Sequence, residues 1–169
     1  LQDRIAVYGR SFDKTMGLAA DGTHRIYRGG GYQLWRFDDV PMGAELTDQG
    51  FDRCFAPRQV WVTGNINVHD VAVDPRGGPA NGVVMAATRF SCLARPSDRY
   101  SFEPVWQPPF VQSFRPGDRC HLNGLAMGPD GPAYVTAVGS TDDRESWRTE
   151  RRGGGVVIDV HTNEIISTG

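Results

Sequence analysis

Three segments of this chain repeat one another. MGLAADG at 16–22, HDVAVDPRGG at 69–78 and NGLAMGPDG at 123–131 align with Leu18, Val71 and Leu125 in register, at offsets of 53 and 54 residues. Each copy continues in the same order: an apolar run, a Gly- or Pro-containing turn, two further β-prone runs and a last one before the next copy. The runs are HRIYRG, GYQLWRF and RQVWVTG in the first copy, GVVMAAT, RFSCLAR and FEPVWQP in the second, and PAYVTAV, GGVVIDV and NEIIST in the third. Alternation and β-branched or aromatic enrichment mark these as strands, and no helical periodicity competes with them.

A four-stranded antiparallel unit of this length, repeated, is the signature of a β-propeller blade. The fold class read from the chain is therefore all-β and propeller-like, with blades at 14–64, 67–108 and 121–169 of one partial domain, 1–169. A β-sandwich has the same strand count but does not require the repeat. Three blades are too few to close a ring, because propellers have about four to eight. The opening RIAVYGRSF reads as the outer strand of a preceding blade, so the chain resembles half of a six- or seven-bladed ring. Its open faces would be covered by missing blades of a longer chain or by a second half-propeller.

Composition narrows the function classes. A net charge of −2, from 18 basic and 20 acidic residues, supplies no field to gather nucleic acid or a membrane surface. No apolar run approaches the roughly 20 residues needed to cross a bilayer, and no basic-then-apolar leader opens the chain. Cys54, Cys92 and Cys120 form no CxxC pair, which points to a reducing, cytoplasmic setting and a soluble protein.

The motifs RSFDKTMGLA, YQLWRF, CFAPRQVWVTGNINVHDVAVD, TRFSCLARPSDRYSFEPVWQPPF, DRCHLNGLAMGPDGPAYVTAVGSTD and GGGVVIDVHTNEIISTG cover nearly the whole chain. Together they resemble an uncharacterised bacterial family of propeller-like proteins, a domain of unknown function with some members associated with tetratricopeptide-repeat proteins. The resemblance implies the central portion of a longer propeller. It implies no activity and no catalytic residues.

Candidate chemistry gathers where the innermost strands begin. His69 and Asn123 are repeat-equivalent, with Met16 in that position of the first copy. Asp70 follows His69, and His121 lies two residues before Asn123. NGLA followed by a Pro-Asp-Gly turn is similar to the metal-binding blade of gluconolactonase-type propellers, in which an Asn holds a divalent cation that polarises a lactone. On that reading His69, Asp70 and Asn123 are metal ligands and a divalent cation is the cofactor.

The plainer readings are that Asn123 caps its strand by bonding to backbone and that Asp70 accepts backbone amides between blades. His69 with Asp70 could alternatively form a carboxylate-oriented base. Cys120 and His121 are adjacent on a strand, so they face opposite ways and do not form a nucleophile–base pair. The segment 139–155 carries Trp147 between Arg144 and Arg148. It reads as a solvated surface loop with an exposed aromatic, or as a lid over the same end of the sheets.

These observations define two functions to compare. The first is a binding or interaction module, its ligand site for a small molecule or protein partner formed by His69, Asp70, His121, Asn123 and Trp147. The second is a metal-dependent lactonase or esterase.

Overall fold

The computed structural model describes residues 11–12, 14–149 and 151–169. The stretch RIAVYGRSF falls outside them except for Ser11 and Phe12. The described chain forms three four-stranded antiparallel sheets, each a simple meander in chain order. The first contains β1 (Gly17–Ala20), β2 (Arg25–Gly29), β3 (Gln33–Val40) and β4 (Cys54–Val62). The second contains β5 (Val68–Val73), β6 (Val83–Ala87), β7 (Cys92–Arg95) and β8 (Glu103–Trp106). The third contains β9 (Leu122–Gly128), β10 (Gly131–Ala137), β11 (Val156–Asp159) and β12 (Ile165–Thr168). The all-β, blade-like architecture expected from the repeat is present. The one α-helix among the described residues, α1 (Ala44–Asp48), is a short turn in the β3–β4 connection that strand patterning did not anticipate.

The sheets stack face to face, and strand alternation explains how one sheet serves two cores. Successive side chains on a strand point to opposite faces. In β6, Val83, Met85 and Ala87 pack with Tyr27, Leu34 and Trp61 of the first sheet. Val84 and Ala86 of the same strand pack with Leu122, Val135 and Ile158 of the third. Strand β7 divides likewise, Cys92 and Ala94 to one side and Leu93 to the other. All five residues of β6 are buried, which is why VVMAA is continuously apolar rather than alternating.

The innermost strands β1, β5 and β9 lie side by side, and two different devices set their spacing. Between the first and second sheets the device is absence of bulk. Gly17 and Gly29 are cross-strand partners. A Cβ on Gly17 would sit 2.7 Å from the Val71 amide nitrogen, and one on Gly29 would sit 2.5 Å from Val68 Cγ1. Between the second and third sheets the device is a carboxylate. Asp70 Oδ1 accepts the Val71 amide at 2.9 Å, and Oδ2 accepts the Leu125 amide of the next sheet at 2.8 Å. At the opposite ends of the inner strands, buried Asp74 accepts from Arg76 at 2.8 Å and Arg95 at 3.1 Å.

Gly29→Ala is therefore expected to destabilise the fold by about 1–3 kcal/mol through overpacking. Asp70→Ala, which leaves the Leu125 amide unpaired between sheets, is expected to cost about 1–3 kcal/mol. Urea unfolding checks both, and an unchanged midpoint for either variant would remove that device from the account.

Candidate functional site

Each innermost strand is reached through a residue in the left-handed backbone region. Lys14, Asn67 and His121 occupy repeat-equivalent positions, with φ of 35°, 51° and 51°. Non-glycine residues adopt this conformation at a cost, Asn and His more readily than most. Its recurrence makes it part of how the chain turns into each strand. A register irregularity follows. In β5 it lies between Val68 and Asp70, at His69. In β9 the pairing jumps from Leu122 to Leu125 across Asn123 and Gly124. Such bulges re-aim side chains at sheet ends.

The result is a contact between equivalent positions of neighbouring sheets. His69 Nδ1 lies 3.1 Å from Asn123 Oδ1, and His69 Nε2 lies 3.0 Å from Asn67 Nδ2. An amide nitrogen only donates and an amide oxygen only accepts. His69 Nε2 must then accept from Asn67 and Nδ1–H must donate to Asn123, which specifies the neutral Nδ1–H imidazole. Burial pushes the His69 pKa below its ordinary value, and the bond to Asn123 opposes this.

His121 stands edge-on to His69, the ring centroids 4.7 Å apart. Its Nδ1 is 2.9 Å from Asp118 Oδ2 and 3.2 Å from Oδ1. The imidazole held by a carboxylate in this cluster is therefore His121, by Asp118, and the pairing of His69 with Asp70 weighed from sequence does not form. Asp118 is itself fixed: its amide donates to Arg89 O at 3.0 Å, and its carbonyl accepts from the Glu145 amide at 3.2 Å and Trp147 Nε1 at 2.9 Å.

Asp118 is not among the residues that the sequence singles out, although the repeat contains a signal for it. The preceding copy has Gly64 at the equivalent position, and both residues are left-handed, φ 67° and 46°. A carboxylate thus stands where the conformation alone would be met by glycine.

Trp147 corrects the expectation of an exposed aromatic on a solvated loop. It is 7% exposed, with its ring centroid 4.0 Å from that of His121 and the Arg148 guanidinium 4.4 Å from its own ring centroid. The part of this segment from Gly139 to Thr149 is tied to the sheet ends through Asp118 and through the ion pair of Asp142 with Arg119, at 2.9 Å. Trp147 forms the wall behind His121, not a free surface beside it.

The remaining candidates separate from this cluster. Each Asp70 oxygen accepts a backbone amide, from Val71 and from Leu125 of the next sheet, so this carboxylate ties sheets together. Among the described residues no three His, Cys, Asp or Glu side chains come together to hold a metal ion. Asn123 bonds through its side-chain oxygen to His69, not to the backbone as the plainer reading had it. Cys120 and Cys92 are fully buried, and burial pushes their thiols up to about 11 and about 12. Phe114 packs on Phe90 and Phe102, and Phe110 against the core between the second and third sheets.

A depressed histidine pKa has a definite sign in stability. The unfolded chain binds the proton more readily than the folded one, so the stabilisation is present above the unfolded pKa. It is lost as pH falls from there toward the folded value. An NMR titration is expected to keep His69 as the neutral Nδ1–H tautomer below the midpoint of an unperturbed imidazole, about 6.5. A His69 titrating at or above that midpoint would contradict the arrangement.

No described helix is long and apolar enough to cross a membrane. No curated protein matches the chain. A family model, domain of unknown function DUF4915, matches residues 1–169, and the chain belongs to that family.

Proposed function

We propose that this protein is a propeller-type binding module whose ligand site is the channel mouth where β5 and β9 begin. The observation that supports this is the His69–Asn123 contact, in which equivalent positions of adjacent sheets meet through chemically different side chains. A purely architectural repeat has no need of that difference. A ligand would meet the amide nitrogen of Asn123 and the free side of His121, with Trp147 and His69 holding the imidazole in place. Both hydrogen-bonding and apolar contacts are then within reach, as small-molecule sites require. Pairing with missing blades or with a second half-propeller would enclose the mouth further.

The metal-dependent lactonase reading lacks comparable support. Both nitrogens of His69 and both oxygens of Asp70 are already bonded within the protein.

Thermal unfolding in the presence of small hydroxy acids and their lactones, lactate, glycerate, gluconate and γ-butyrolactone among them, tests the proposal. At about ten times Kd a bound member is expected to raise Tm by roughly 3–6 °C. The shift should disappear in Asn123→Ala. A panel without effect, or a shift that survives the substitution, would remove the mouth as the binding site for this class.

A further inference from the structure

From the cluster just described we infer that His121 is a general base that activates water against a small carboxylic ester, with Asp118 as its positioning residue and Asn123 as the donor to the carbonyl oxygen. The inference rests on the mouth being a ligand site and adds a reaction to it.

The first support is the division of labour on the two imidazoles. His69 has both nitrogens bonded within the protein. His121 has only Nδ1 committed, to Asp118, and Nε2 has no hydrogen-bond partner among the described residues. A carboxylate on Nδ1 fixes the tautomer and leaves Nε2 as the lone pair, the arrangement that makes an imidazole a proton acceptor. The ring is 19% exposed, so solvent reaches the group, while Trp147 and His69 restrict its rotation.

The second support is the fixed direction of Asn123. Because His69 Nδ1–H holds Oδ1, the Asn123 amide nitrogen is the end left to donate. An uncharged donor suits a carbonyl oxygen that gains charge only as the reaction proceeds. The third support is that Cys120, the thiol beside His121 in the chain, is buried in the core with its pKa raised and does not serve as the nucleophile. Water is then the attacking group.

The step balances without an added reagent. Nε2 takes a proton from water as the water oxygen bonds to the acyl carbon, and the carbonyl electron pair moves to oxygen, where Asn123 donates to it. Collapse of this tetrahedral species breaks the acyl–oxygen bond, and the proton on Nε2 passes to the departing alkoxide. Acid and alcohol leave, and His121 is again neutral.

The backbone at His121 provides a clean test. With φ at 51°, glycine is tolerated there without strain, so His121→Gly removes the imidazole and keeps the turn. Hydrolysis of p-nitrophenyl acetate and γ-butyrolactone by the whole chain is expected to exceed that of equimolar free imidazole. It should fall about 10²–10⁴-fold in His121→Gly. Added imidazole should restore a saturable part of the loss, and Asp118→Asn should lower kcat while KM and Tm hold.

Wild-type turnover no faster than free imidazole, His121→Gly turnover equal to wild type, or absence of imidazole rescue would each overturn the assignment. An acetyl adduct on His121 in the intact mass would also overturn it, by making that residue a nucleophile. Ligand-induced Tm shifts without turnover would refute the reaction and leave the binding site standing.

Discussion

A sheet has two faces, and the second sheet of this protein has both of them covered. Everything else follows from that constraint. One strand must supply side chains to two cores at once, so β6 is apolar at every position, with Val83 and Met85 facing one neighbour and Val84 and Ala86 the other. Face-to-face stacking also brings the innermost strands together at one edge. Residues 54 apart in the chain become hydrogen-bonding partners there. The cluster is a product of stacking, because no single sheet contains it.

The two sheet-to-sheet contacts at that edge are solved differently. Gly17 and Gly29 let the second sheet approach the first by having no side chain to obstruct Val68 and Val71. Asp70 instead bridges to the third sheet through a backbone amide. In the repeat alignment Gly17, Asp70 and Gly124 are the same position. A carboxylate there ties two sheets at one interface, and a hydrogen atom allows contact at the other.

The architecture was largely legible because strand alternation and turn chemistry are local and the repeat states them three times. His69, His121 and Asn123 were also legible as a group, since alignment of the copies places them at one end of the inner strands. What escaped depended on contacts across the fold. Trp147 lies in a charged, Gly-flanked segment, and nothing near it in sequence shows that Asp118 and His121 bury it. Asp118 sits in a Pro-Gly-Asp turn that reads as ordinary loop chemistry until it is set beside Gly64. Asp70 is ambiguous for the opposite reason: a carboxylate next to a histidine suggests a pair, yet the strand turns the two side chains to different partners.

The innermost strands begin with Met16, His69 and Asn123 at one level, and Lys14, Asn67 and His121 at the level before it. The backbone treats these positions as equivalent, giving each strand the same left-handed approach. The side chains do not: a thioether, an imidazole and an amide follow one another around the edge, and a cation, an amide and a second imidazole follow beneath. A repetitive frame thus presents an edge whose chemistry does not repeat. A molecule resting on it would encounter a different chemical group in each direction and would have a single preferred orientation.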